Sequence, residues 1–183
     1  MILVTGGVRS GKSSFAEQLA ILKRKKRLIY LATSIPYDNE MKDRMKRHQQ
    51  MRIKSGEPWL TIEQSKHLAT LQTCLQKDDV VLLDCLPTWL SNELFIDESS
   101  FLNPTFQRYI YEEMIATIRL LDASVKQLII VSNDVFSNAE QFFDGTFHYM
   151  RLLGHLHQWI VSQAKEVYDV QFGLVEQKKE VVW

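Results

Sequence analysis

Ile2-Leu3-Val4-Thr5-Gly6-Gly7-Val8-Arg9-Ser10-Gly11-Lys12-Ser13 stands at the start of the chain. Ile2–Thr5 is a short apolar run of strand length. Gly6 to Ser13 then satisfies the pattern G-x-x-x-x-G-K-[ST] in full. From Ser13 to Lys25, Phe15, Leu19 and Leu22 are spaced for one buried helical face. Strand, glycine loop and helix in that order are the setting in which such a loop binds phosphate. Its glycines let successive amide N–H groups face the phosphates, and the positive end of the helix adds to that field. The backbone of Gly6, Gly7, Val8, Arg9, Ser10 and Gly11 is therefore expected to cradle a nucleoside triphosphate. Lys12 would reach the outer phosphates and Ser13 would offer its hydroxyl to Mg²⁺. The competing reading is a chance glycine turn between strand and helix, which requires all three elements to coincide by accident.

Further along, Leu28–Thr33, Val80–Cys85 and Leu128–Ser132 are Val-, Ile- and Leu-rich runs without alternation, as strands buried on both faces of a parallel sheet read. Val167–Val175 alternates more and reads as a later or edge strand. Helices are expected over Asp38–Ile53, with acids first and bases last, over Pro104–Leu121, and over Thr146–Lys165. Lys54–Trp59, with Gly56 and Pro58, reads as a loop. Strands alternating with helices imply βαβ units. The expected fold is α/β, a three-layer P-loop NTPase fold of RecA-like type with a mostly parallel central sheet. No linker or repeat divides the chain, so residues 1–183 should form a single domain.

A second acid is expected at the end of a buried strand in this architecture. Asp84 closes Val80-Val81-Leu82-Leu83 and is the candidate to hold Mg²⁺, partly through water. Asp84 could instead cap a helix beginning at Pro87-Thr88-Trp89, and the two roles are compatible.

Formal net charge is zero, which argues against bulk attraction to nucleic acid or an anionic membrane. The cysteines, Cys74 and Cys85, form no Cys-x-x-Cys pair, which suits a reduced, cytoplasmic setting. No apolar stretch approaches the roughly 20 residues of a membrane span, and the opening strand leaves no sign of a signal peptide.

One basic cluster breaks the neutral balance. Lys42, Arg44, Lys46, Arg47, Arg52 and Lys54 are opposed by Asp43 alone, and His48 sits among them at i, i+4 from Arg44. A neutral imidazole is a competent nucleophile toward phosphorus, and the surrounding cations would depress its pKa and attract a triphosphate. On chemistry alone, a histidine on a solvated basic face, or a face meeting an acidic partner, remains the plainer reading. His155 and His157 lie near Arg151 in sequence, which could turn toward a site.

Several blocks together resemble the bifunctional adenosylcobinamide kinase/adenosylcobinamide-phosphate guanylyltransferases of cobalamin assembly. They are the opening Ile2–Ser13 block, Tyr30-Leu31-Ala32-Thr33-Ser34, and Asp38-Asn39-Glu40-Met41 with Arg44 and His48. Trp59-Leu60-Thr61-Ile62-Glu63 follows, then Val81–Leu86 running into Trp89-Leu90-Ser91-Asn92, and Val131-Ser132-Asn133-Asp134-Val135. The resemblance implies two steps on one scaffold. ATP or GTP phosphorylates the aminopropanol hydroxyl of adenosylcobinamide. GTP then gives GMP to a histidine, and the phosphorylated substrate takes it to form adenosylcobinamide-GDP. His48 holds the position of that histidine, with Arg44, Lys46, Arg47 and Arg52 to stabilise phosphate charge. Thr33, Ser34, Glu63 and Asp84 fall where the family contacts nucleotide. The resemblance also implies a homotrimer, whose interface could take up the apolar tail Val181-Val182-Trp183.

Two departures stand against this pattern. Gln49–Pro58 holds extra residues after His48. Asn133-Asp134-Val135-Phe136-Ser137-Asn138-Ala139-Glu140 replaces a stretch in which the family carries glycines and a proline. Phe136 and Ser137 do not readily adopt the backbone that glycines allow. The Phe136–Asp144 segment therefore bears on the second substrate more than on nucleotide binding, and it favours, as an alternative, a divergent kinase of another alcohol. A catalytically silent nucleotide-binding subunit is a further reading, opposed by Lys12, Ser13, Asp84 and His48 together.

Overall fold

The unalternating apolar runs become the middle of a seven-stranded sheet. A computed structural model describes residues 1–35, 49–50, 52–53, 56–97, 99–134 and 144–180. The strands are β1 (Ile2–Gly6), β2 (Leu28–Ala32), β3 (Trp59–Glu63), β4 (Val80–Asp84), β5 (Gln127–Val131), β6 (Glu166–Gln171) and β7 (Leu174–Glu180). Their order across the sheet is β3-β2-β4-β5-β1-β6-β7. Every neighbouring pair is parallel except β6 with β7. Helices α1 (Lys12–Lys23), α2 (Leu86–Leu94), α3 (Pro104–Ser124) and α4 (Asp144–Gln163) cover it, with short 3₁₀ turns at Leu68–Thr73 and Ser100–Leu102.

Successive strand residues point to opposite faces, and both faces are buried. Ile2, Val4, Leu28, Val80, Leu82 and Ile129 pack with Ala16, Leu19 and Ala20 of α1. Leu3, Ile29, Leu31, Val81, Leu83 and Ile130 pack instead with Leu90, Met114, Ile118, Leu153 and Leu156 of α2, α3 and α4. Three layers result, as expected from the sequence. Burying each Val, Leu, Ile or Met among them contributes about 1.5–3 kcal/mol. The ends of β2 and β4 away from the loop are tied by Asp79, fully buried, which accepts from Arg27 Nε at 2.7 Å and Nη2 at 2.6 Å.

Four sequence expectations need correction. Trp59 belongs to an edge strand, not to a loop, because residues 59–63 pair in parallel with β2 from Leu28 to Ala32. Val167–Val175 is not one strand. The chain reverses at Phe172-Gly173, and β7 returns antiparallel to β6. The helix after β4 runs the full length from Leu86 to Leu94 with Cys85 at its N-cap and no side-chain cap, so Asp84 does not cap it. Helix α3 extends to Ser124, past Leu121. Of the helix expected over Asp38–Ile53, residues 49–50 and 52–53 are helical and the others lie outside the described residues. The Val181–Trp183 tail lies outside them as well.

Candidate nucleotide site

The loop between β1 and α1 depends on a close approach at Gly6. A Cβ there would stand 2.2 Å from the Val170 carbonyl oxygen of β6 and 2.7 Å from Ser10 Oγ, so only glycine fits. Gly11 enters the helix at φ 94, a left-handed conformation that glycine adopts without steric cost. Lys12 and Ser13 then begin α1, at the positive end of its dipole. Lys12 is only 7% exposed, and its Nζ donates to the Gly7 carbonyl at 3.0 Å, folding the ammonium back over the loop. The end of β5 is pinned beside it: the Ser132 amide donates to the Val4 carbonyl at 2.9 Å and the Asp134 amide to the Gly6 carbonyl at 3.1 Å.

A cavity of about 190 Å³ opens where the parallel strands end. Ala32, Glu63 and Asp84 are the last residues of β2, β3 and β4, and Asn133 follows β5. All four line the cavity with Lys12, Ser13, Tyr30, Ser34, Gln49, Arg52, Thr61, Cys85 and Thr88. Ligands of open α/β sheets bind at this carboxyl edge. The structure thus brings together Lys12, Ser13, Ser34, Arg52, Glu63 and Asp84 of the residues expected from the sequence. Gly6, Gly7, Val8, Arg9, Ser10 and Gly11 form the adjoining loop. Thr33 is fully buried beside the cavity: its hydroxyl donates to the Cys85 carbonyl and accepts from the Cys85 amide, both at 2.9 Å, fastening β2 to the end of β4. His48, with Arg44, Lys46 and Arg47, lies outside the described residues. Gln49, which follows it in the chain, lines the cavity wall.

The wall carries a polar network that the sequence did not disclose. The Tyr30 hydroxyl donates to Asp84 Oδ2 at 2.6 Å. Burial, and then the Asp84 carboxylate, push the phenol far above its ordinary range, so it remains a donor. The Arg52 guanidinium lies 3.5 Å over the Tyr30 ring and is 5% exposed. Its Nη1 stands 3.3 Å from Glu17 Oε1 of α1. Burial raises the Glu17 carboxyl despite the opposing pull of Arg52. Cys85 is also pushed up by burial, which keeps it a thiol and a poor nucleophile.

Behind Asn133, Ser132 Oγ and His157 Nε2 are 2.6 Å apart. Burial pushes His157 down to about 4, with Asp134 pulling the other way. Ser132 is fully buried, so the pair joins β5 to α4 and offers no nucleophile to solvent. Arg151 does not turn toward the site: its Nη2 donates to Gln107 Oε1 at 2.5 Å. His155 sits edge-on to Tyr111. Asn133 belonged to a matching block, but only the strand order shows its place between Lys12 and Asp84.

Residues 2–177 match the family model for cobinamide kinase / cobinamide phosphate guanyltransferase. The chain belongs to this family. It is a transferase of the P-loop, RecA-like α/β class. The bifunctional adenosylcobalamin biosynthesis protein CobU of Salmonella typhimurium is 34% identical over 182 residues, covering 95% of this chain and 97% of the relative. Its namesake in Escherichia coli K12 is 32% identical, with 95% and 97% covered. The bifunctional protein CobP of Pseudomonas aeruginosa is 31% identical, with 94% and 93% covered. The crystal structure of the RadB recombinase superposes with a TM-score of 0.50 at 13% identity, over 92% of this chain and 72% of that one, a likeness of fold. Among the described residues no helix is long and apolar enough to cross a membrane.

Mg²⁺ chemistry fits the donors present. Ser13 and Asp84 supply a hydroxyl and a carboxylate to one cavity, the hard oxygen ligands that Mg²⁺ takes alongside phosphate and water. Among the described residues no group of three or more His, Cys, Asp or Glu could hold a metal by itself. A site completed by nucleotide phosphates does not need one.

Proposed function

We propose that the chain phosphorylates adenosylcobinamide and then converts the phosphate to adenosylcobinamide-GDP. The carrying observation is the meeting of Lys12, Ser13 and Asp84 in one cavity of a chain matched to the family from residue 2 to 177. In the first step the aminopropanol oxygen of the substrate attacks the γ-phosphorus of ATP or GTP. The nucleoside diphosphate leaves and the hydroxyl proton passes to solvent. Lys12 and the loop amides take the charge spread over the phosphate oxygens. Ser13 and Asp84 would hold a Mg²⁺ ion there, which would supply positive charge to the phosphates. Tyr30 holds the Asp84 carboxylate in one orientation through its donated hydrogen bond.

In the second step His48 is the nucleophile. Its neutral ring nitrogen attacks the α-phosphorus of GTP, the bond to the β-phosphate oxygen breaks, and pyrophosphate leaves. A phosphate oxygen of the first product then attacks the GMP phosphorus and releases His48. Each displacement acts on an activated phosphorus. Arg44, Lys46, Arg47 and Arg52 stabilise the charge that builds in both. The placement of Gln49 and Arg52 in the cavity wall supports a histidine in this stretch serving the same nucleotide. Ser34 and Glu63 complete the nucleotide contacts, whereas Thr33, buried against Cys85, ties β2 to the end of β4 instead of reaching the nucleotide. A homotrimer working in the cytoplasm is part of the same reading.

Lys12→Ala and His48→Ala separate the steps. With adenosylcobinamide and GTP, His48→Ala should accumulate adenosylcobinamide phosphate with no GDP adduct, and Lys12→Ala should make neither product. Loss of phosphate transfer in His48→Ala with the fold intact would contradict this division of labour.

A further inference from the structure

The turn joining β6 to β7 lies against the phosphate loop. The Gly173 amide donates to the Ser10 carbonyl at 2.9 Å, and a Cβ on Gly11 would stand 3.7 Å from the Gly173 Cα. Phe172 and Gly173 both have positive φ, 54° and 79°, as a two-residue hairpin turn of the tightest kind requires. Asparagine or aspartate normally fills the first of those positions, because a bulky side chain is disfavoured there. Phe172 occupies it and is 95% exposed, so its ring serves neither the turn nor the core.

Strand order says what lies beside that ring. β1 has β5 on one side and β6 on the other. Lys12, Ser13, Asp84 and Asn133 gather on the β5 side, which is where a terminal phosphate belongs. A triphosphate laid along the loop with that end in the cavity directs its nucleoside toward the β6 side. There the Phe172-Gly173 turn is fastened to the loop backbone at Ser10.

We propose that Phe172 is the aromatic face on which the base of the loop-bound nucleoside triphosphate stacks, a role that rests on the phosphate loop binding nucleotide. Every base has a π-face, so such stacking tolerates adenine and guanine alike. The ring therefore adds affinity for either triphosphate without choosing between them. Choice would fall to groups that read the base edge.

The test is calorimetric binding of GTP, ATP and inorganic tripolyphosphate, each with Mg²⁺, to wild type, Phe172→Asn and Phe172→Trp. Asparagine suits the turn better than phenylalanine, so the variant should melt no lower than wild type. Phe172→Asn should bind GTP and ATP roughly five- to fifty-fold more weakly, bind tripolyphosphate within about two-fold of wild type, and Phe172→Trp should retain nucleotide affinity. Unchanged nucleotide binding in Phe172→Asn, or equal loss for tripolyphosphate, would overturn the stacking role while leaving the loop's function intact. A wild-type protein that binds neither nucleotide nor tripolyphosphate would overturn the nucleotide reading itself, and this inference with it.

Discussion

The Tyr30 phenol on β2 donates a 2.6 Å hydrogen bond to the Asp84 carboxylate at the end of β4. Parallel pairing aligns Tyr30 with Leu82 and Ala32 with Asp84, so the phenol reaches forward to the strand's end. The same ring is covered by the Arg52 guanidinium. One side chain therefore connects the carboxylate at the end of β4 to Arg52, which follows His48 in the basic stretch of the sequence.

Tyr30→Phe keeps the ring under Arg52 and removes only the hydrogen bond. Stability should fall by about 0.5–1.5 kcal/mol, and the kinase kcat should fall several-fold while the KM for nucleotide changes little. Tyr30→Ala, which also empties part of the core, should cost roughly 3–5 kcal/mol. Steady-state kinetics beside denaturant melts separate the two. An unchanged kcat in Tyr30→Phe would remove the orienting role.

His157 gives a pH dependence of defined sign. Its folded pKa is pushed down to about 4 from an ordinary 6.5, so the unfolded chain binds the proton more readily. The stability it contributes is complete above pH 6.5 and is lost as pH falls through about 4. Within that window its share of the slope is roughly 1.4 kcal/mol per pH unit at most. His157→Gln should flatten the profile there while keeping a partner for Ser132. Melts of both proteins from pH 7 to 4 check it, and an identical slope would contradict the assignment.

Gly6 should tolerate no side chain. Gly6→Ala places a methyl 2.2 Å from the Val170 carbonyl, against backbone that cannot yield without parting β1 from β6. We expect a loss of more than about 2 kcal/mol and severely weakened triphosphate binding, measured by melt and calorimetry. Wild-type behaviour in both would show that the two strands are less closely packed in solution.

Chelation should separate chemistry from folding. Since no group of described residues builds a metal site of its own, excess EDTA should abolish both transfers and leave the melting temperature unchanged. A large fall in melting temperature would point to a structural metal instead.

How much of this was legible in the sequence follows from burial. β1, β2, β4 and β5 are buried on both faces, so each shows as a continuous apolar run. β3 is an edge strand, half covered, and Trp59-Leu60-Thr61-Ile62-Glu63 beside Pro58 lacks that signature. The β6–β7 reversal was hidden because Phe172-Gly173 is not the Asn-Gly pair that marks a hairpin. That Lys12, Ser13 and Asp84 share one cavity was readable because the glycine loop is a local pattern and Asp84 ends an apolar run. Tyr30 sits inside such a run, where it reads as core; its hydroxyl gains meaning only once β4 is placed beside β2. Glu17, Asn133 and His157 likewise depend on contacts between residues distant in sequence.

A GMP carried on His48 would show in intact mass spectrometry after incubation with GTP and Mg²⁺. Wild type should gain the mass of one GMP, in an acid-labile bond, and His48→Ala should gain nothing while still binding GTP. A wild-type protein that binds GTP but shows no adduct, or an adduct that persists in His48→Ala, would rule out His48 as the GMP carrier.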